Sequence, residues 1–415
     1  IFDIIIPKAY IAATPTIKKS YNMPNYGFSE LLWESFSIQA PESIDKTNML
    51  IGYYSQENVW KINNNNGNLF HFKKKANNPS VLFDLNNAPP YLREEIEFGD
   101  DVICALGATK TTELLTIKPA AVNPYVDINI NNSNKLTYIN AMLYSAAFIL
   151  QRAFCSKEDI DPGEISVLTL RKVMLENEEN YNVYEMCLAD TLPNGSGFVR
   201  KLYSEMKNGF LIDLINSKTN NLFIKSLLDN DHIEKCFTSC SRCLNTYHNM
   251  PYHGILDWRL GLSYLRLLAN PNYDAALKDG DFKYIDIQSL KSRSKELRLN
   301  LISYIMPITE YGFIIEHIDK KDLNSNFEFI GLKIFCESTN LNVIIAITHP
   351  LWNFDDSNNS NLLQKLIDSY QIEDCLDEDF SENDIYINIF DLERRPGKVY
   401  HENIIPALIE ISPKE

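Results

Sequence analysis

The sequence predicts an α/β (α+β) protein, and three observations carry that reading. Alternating apolar residues and turn signals fill the first 134 residues, helical spacing takes over near residue 135, and strand, turn and helix patterns then alternate to the end. The expected organisation is a β-rich region with hairpins at 1–134, a central α/β unit at 135–281 and a C-terminal α/β block at 282–415.

Taken in order, VWKINNNNGNLFHF (59–72) sets two alternating runs on either side of Asn66-Gly67, which predicts a hairpin. DVICALGATKTTELLTIKP (101–119) is β-branched strand material around Gly107, and the Asn-rich tracts at 62–68 and 128–134 read as exposed loops. YINAMLYSAAFILQRAF (138–154) repeats apolar residues at helical spacing, and EISVLTLRKVML (164–175) reads as a strand. NVYEMCLADTLPNGSGFVRKLYSEMKNGFLIDLI (182–215) runs strand, glycine turn, helix. In the last block NVIIAITHPLW (342–352) and DIYINIFDL (384–392) predict buried strands and NNSNLLQKLIDSY (358–370) a helix; the acidic run EDCLDEDFSEND (373–384) predicts a solvated loop. No short-period repeat or heptad seam is present, which excludes solenoid and coiled-coil architectures. The chain opens at Ile1 in strand-like sequence, which points to a preceding or separate N-terminal part.

A formal charge of -16 argues against a whole-surface nucleic-acid binder, because duplex binding rests on neutralising phosphates with Lys and Arg. DNA contact would need local patches or a partner. No apolar run approaches the roughly twenty residues of a membrane span and no leader pattern opens the chain, so a cytoplasmic protein is expected. Eight cysteines are too sparse for a disulfide scaffold in so long a chain, yet Cys236, Cys240 and Cys243 crowd one loop.

Thiolates spaced C-x3-C-x2-C converge on one point, and zinc takes four N or S ligands in a tetrahedron. The fourth is expected from histidine. His253 is preferred because it precedes the helix start at Leu256, with His248 and His232 as alternatives. An iron–sulfur cluster would usually take four cysteines. Nothing resembles HExxH or the HxE plus PCxxC deaminase signature, so a closed, structural Zn2+ is expected rather than a catalytic one.

The cluster, followed by LDWRLGL (256–262), resembles the MrfA-type zinc-binding domain family of superfamily 2 DNA helicase systems. Further pieces occur in that family's order: VWKINNNNGNLFHF, ALGATKTTELLTI (105–117), DTLPNGSGFVRKL (190–202) with its D-x-x-P-x-G-x-G turn, then HPLW (349–352) and FDLERRP (390–396). Where helicase members often carry a further cysteine, this chain has Asn249, another reason to look to His253. The pattern is nearest in shape to the helicase-accessory component B of DISARM phage defence, with the C-terminal region of Druantia-type defence helicases as the alternative. The resemblance implies a helicase partner or fused helicase core, and double-stranded DNA as the setting.

Gly195 and Gly197 ahead of a helix could cradle an anion on backbone N–H groups, but the spacing is not a Walker A loop, and no DEAH-type motif occurs. This chain is therefore expected to be no enzyme but an accessory to one. Lys110, beside Thr111 and Thr112, and Arg200, Arg394 and Arg395 are the candidate nucleic-acid contacts; HFKKK (71–75), KSRSKELR (291–298) and RRPGK (394–398) are the basic concentrations. Asp257 suits a helix start, and Arg259 can pair with a carboxylate. The competing expectation is a metal-dependent nuclease acting through the C-terminal block, for which EFIGLK (328–333) is the only hint; a third is a scaffold that never touches nucleic acid.

Overall fold

The structure is a computed structural model that describes residues 4–5, 29–34, 40–63, 69–83, 97–175, 180–216, 218–275, 285–321, 328–353 and 385–413. It has the mixed α+β class that the sequence predicts, and the described residues form two sheets. The spine of the larger sheet is the long strand β7 (Phe98–Pro119), whose Leu114, Leu115 and Ile117 are fully buried on both faces of the pleat. Around it stand β1 (Ile4–Ile5), β2 (Ser29–Glu34), β3 (Glu42–Ser43), β4 (Met49–Asn63), β5 (Phe70–Lys75), β6 (Asn78–Phe83), β8 (Ile165–Val167), β9 (Arg171–Met174) and β10 (Asn182–Asp190). Strand order along the main path is β2-β4-β7-β10-β8. One sheet thus takes strands from both sides of residue 134.

The predicted hairpin at 59–72 does not form. Both halves are strands, but each pairs antiparallel with β7, β4 ending at Asn63 opposite Leu106 and β5 beginning at Phe70 opposite Cys104. A partner as long as β7 can satisfy both runs in succession, so they have no need of each other. The Asn66-Gly67 pair lies outside the described residues. The hairpin falls one element later, where β5 turns at Ala76 and Asn77 into β6. The strand expected over 164–175 is two short ones, β8 and β9, laid separately along β10 with the buried Leu168 between them.

Helix α1 (Leu136–Glu158) crosses this sheet with fifteen buried residues. Short helices follow, α2 (Phe198–Lys207), α3 (Phe210–Ile215), α4 (Leu222–Leu227) and α5 (Asn230–Lys235), and then α6 (Trp258–Ala269), buried along its whole length. Gly261 lets α6 touch α1: a Cβ there would stand 2.8 Å from the Ser145 backbone carbon and from Ile149 Cδ1.

The second sheet, β11 (Phe313–Lys321), β12 (Glu328–Cys336), β13 (Leu341–Thr348) and β14 (Ile385–Asn388), packs with α7 (Ile285–Ile305) and the terminal α8 (Ile389–Arg394), α9 (Pro396–Val399) and α10 (Ile405–Ile411) around a core of its own. The strand expected over 384–392 stops at Asn388. Its side chain accepts the Asp391 N–H at 2.8 Å and caps α8, so IFDLER leaves the sheet as a helix. The segments 358–370 and 373–384 lie outside the described residues.

HPLW and FDLER join the two bodies. Leu351, Trp352 and Phe390 are buried in the core of the larger sheet, Trp352 Nε1 donates to Ala275 O at 2.9 Å, and Val126 bridges to Trp352. Burial pushes His349 down to about 3, so its ring is neutral and Nδ1 accepts the Leu351 N–H. No helix among the described residues is long and apolar enough to cross a membrane.

Candidate metal centre

The cysteine loop leaves α5 and turns back before α6. Asp229 caps α5, whose one-turn spacing sets His232 and Cys236 on the same side. Cys240 and Cys243 then close a tight turn, in which the Cys243 and Asn245 amides donate to Cys240 O at 3.1 and 3.0 Å, and the Cys240 N–H points at Cys243 Sγ from 3.0 Å.

His232, Cys236, Cys240 and Cys243 bring one donor atom each to within 4.8 Å of one another. Cys236 Sγ and Cys243 Sγ are 3.7 Å apart, and Cys240 Sγ is 3.6 Å from His232 Nε2. A zinc tetrahedron built from ordinary Zn–S and Zn–N bonds has S–S edges of about 3.8 Å and S–N edges of about 3.6 Å. The residues therefore fit such an ion in number, softness and spacing, and the sulfurs are free thiols rather than disulfides. His232 is presented for this: Nδ1 donates to Leu227 O at 2.8 Å, which fixes the tautomer and leaves the Nε2 lone pair facing the sulfurs. Hydrogen bonding from Cys236 favours the Cys243 thiolate; by giving that bond, Cys236 is itself pushed up. Cys236, Cys243 and His232 are buried and Cys240 is half-buried, so most of the donor set is enclosed by protein.

LDWR holds the loop from behind. Trp258 Nε1 donates to Cys236 O at 3.0 Å, its backbone N–H to Thr238 O, and its ring packs 5.4 Å from that of His232. The Arg259 guanidinium donates to Cys236 O, Phe237 O and Ile233 O at 2.7–2.9 Å, spending itself on carbonyls of the metal loop. Burial pulls Arg259 down to about 10, still charged at neutral pH. Asp257 caps α6 through the Arg259 and Leu260 amides.

His253, the histidine favoured from sequence, stands outside this group. Its Nε2 lies 3.0 Å from Thr246 O and 2.9 Å from Asn249 Oδ1, closing the turn over 246–253, and His248 is exposed. The signal that points to His232 is its spacing, four residues ahead of Cys236 on a helix, which outweighs closeness to the helix start behind. His232→Ala is expected to lose most bound zinc, whereas His253→Ala keeps it at the wild-type ratio; metal analysis of the two purified chains decides between them.

The candidate nucleic-acid residues are not brought together. Lys110 Nζ donates to Asp190 O and Thr191 O at 2.7 and 2.6 Å, tying the end of β10 to β7. The glycine turn is filled from within: the buried Asp190 carboxylate accepts the Ser196, Gly197 and Val199 amides at 2.7–2.9 Å, which is where an external anion would have sat. Arg200 is exposed over that turn. Arg394 faces inward, donating to Leu256 O at 2.9 Å and pairing with Asp257 at 3.3 Å, and Arg395 pairs with Asp391. In the basic runs, Lys73 pairs with Asp101, Arg293 with Glu393 and Arg298 with Asp319.

The chain is similar to Druantia protein DruE. It is 29% identical to that protein of Escherichia coli strain UMEA 4076-1 over 163 residues, which is 39% of this chain and 8% of the relative. The likeness agrees with the Druantia-type resemblance read from the motifs. The chain also overlays part of the solved structure of the DUF1998 helicase MrfA bound to DNA, with a TM-score of 0.33 and 12% identity over 58% of this chain and 25% of that one. No family profile matches the chain. This chain spans less than a tenth of the curated relative it matches.

Proposed function

We propose that this chain is a non-catalytic, zinc-stabilised accessory module of a defence helicase, and that it helps a helicase subunit or fused helicase core hold double-stranded DNA in antiphage defence. The observation that carries the reading is the Cys3His set closed from behind by LDWR. A buried tetrahedral site with every ligand supplied by protein contributes folding free energy and shape, not an open coordination position for chemistry. The likeness to Druantia protein DruE supports a defence setting for this chain. The self-filled glycine turn and the inward Arg394 argue that any DNA contact is made with the partner rather than by a basic face of this chain.

The test is co-purification with a Druantia-type helicase, followed by its DNA-stimulated ATPase with and without this chain and a salt titration of DNA binding. The expected result is a stable complex whose DNA affinity, or ATPase at limiting DNA, rises with the chain present and falls with salt. Failure to bind the helicase and to change its ATPase overturns the accessory role; magnesium- or manganese-dependent cleavage by the purified chain would install the nuclease in its place.

A further inference from the structure

We propose that the far end of the C-terminal sheet is a docking surface for a basic amphipathic helix of a partner protein. The proposal goes beyond the accessory reading, since it needs neither the metal nor DNA. Three segments meet at this end: the turn Met306–Tyr311 with the start of β11, the β12–β13 turn, and α10. The Glu337 N–H donates to Gly312 O at 3.0 Å, Cys336 stands between Phe313 and Leu341 across the strands, and Thr339 Oγ1 donates to Ile411 O at 2.6 Å. From Leu341 here β13 runs to Thr348, and HPLW enters the larger core only beyond that. The three segments therefore lie at the opposite end from the junction with the larger body.

Two properties set this end apart. Met306, Tyr311, Ile314, Leu341 and Ile409 are large apolar side chains left in water, from 42% exposed at Ile314 to 78% at Tyr311. Apolar side chains gathered at one place in this way mark an interaction surface, whereas single ones are ordinary. The charge is one-sided: residues 306–314, 335–342 and 405–413 contain Glu310, Glu337 and Glu410 and no Lys, Arg or His. All three carboxylates are exposed, and none is in an ion pair with another described residue. Glu337 Oε2 stands 3.9 Å from a Cβ built on Gly312, beside Tyr311. An apolar centre with an acidic rim selects apolar side chains flanked by Lys or Arg. A second copy of this end would set carboxylates against carboxylates, and an anionic membrane would repel them. Strand addition is disfavoured as well, because the backbone here is turn and helix end whose groups already bond internally, as Glu337 N–H and Asn340 N–H do.

The experiment titrates the full chain against a fluorescein-labelled helical peptide of Leu and Lys, its Leu residues on one face, and reads anisotropy at low and raised salt. The same peptide with Glu for Lys is the charge control. Wild type is expected to bind the Leu/Lys peptide, less tightly as salt rises, and not the Leu/Glu peptide. Y311S/L341S should bind about 10-fold or more weakly, as when anchors at an interface centre are lost. E310Q/E337Q/E410Q keeps the apolar side chains and should lose most of the salt dependence, which attraction to the rest of an acidic chain would preserve. L222S, at a side chain 72% exposed on α4, should bind as wild type does. The proposal is overturned if wild type does not bind the Leu/Lys peptide, if Y311S/L341S binds as tightly as wild type, if L222S falls as far, or if the Leu/Glu peptide binds equally. A wild-type dimer in sedimentation that Y311S/L341S abolishes would give the surface to a second copy and end the proposal too. Should Y311S/L341S not fold, the glutamine variant decides, lost salt dependence supporting the surface and retained salt dependence overturning it.

Discussion

Cys243→Ser is expected to abolish stoichiometric zinc and to lower the melting temperature by more than any surface substitution in the chain. Cys243 is 1% exposed, receives the Cys240 N–H, and is the sulfur whose thiolate the Cys236 hydrogen bond favours. Serine offers a hard, weakly acidic oxygen in a site of soft donors, and its loss as a ligand strands Cys236 and His232 in the core. Structural zinc contributes apparent binding energies of about 10–16 kcal/mol in isolated finger peptides, an upper bound here because the large apolar core of α1 and α6 folds with the loop. Two measurements check the result. A chelator should bring wild type down to the melting temperature of C243S and leave the variant where it is, and limited proteolysis should open the variant between α5 and α6. Cys240→Ser, at the half-buried ligand, should follow the same course with a smaller fall. Full metal and unchanged melting in both variants would remove the site.

That expectation rests on what was legible in the sequence, and the legible part is local. The α1 helix, the strand at 101–119 and the strand–glycine–helix unit at 182–207 are each set by periodicity within the segment, and each forms. Thiolates at C-x3-C-x2-C converge for the same local reason. What spacing cannot show is which distant segment claims a group. The two runs at 59–63 and 69–72 look like partners because they are neighbours, but β7, far along the chain, offers both a longer ladder. DIYINIFDL is apolar enough to be strand throughout, and a single asparagine side chain turns its second half into α8. Arg394 looks like a phosphate contact in ERRPGK until Asp257, 137 positions earlier, is found to face it. Helical spacing ahead of Cys236 favours His232, and the hydrogen bonds separate it from His253, one ring aimed at sulfur and the other spent on Thr246 and Asn249.

The inward turn of Arg394 leads to the second large effect, a coupling between the metal loop and the C-terminal sheet. Asp257 is 3% exposed. It caps α6 with one carboxylate oxygen, and the other meets Arg394, which stands at the end of α8, stacks over Phe390 at 4.0 Å and donates to Leu256 O. The next residue toward the N-terminus, Glu393, pairs with Arg293 of α7. One helix start is thereby tied to the Cys236 loop through Trp258 and Arg259, and to α8 through Asp257. Asp257→Asn separates the two duties, because Asn keeps a capping oxygen but loses the charge. Breaking a buried pair from one side costs about 3–5 kcal/mol, since the other charge is left stranded. Asp257→Asn and Arg394→Met should each lower the melting temperature by roughly 6–20 °C in the transition that involves these helices. The double variant should fall by less than the sum, with a coupling of about 1–3 kcal/mol by denaturant unfolding. Hydrogen exchange gives the sharper readout: in either single variant, protection should drop in α8 and also in the 236–240 loop, because both hang on the same helix start. If the losses add, and exchange quickens in α8 alone, the metal loop and the C-terminal sheet are neighbours without coupling.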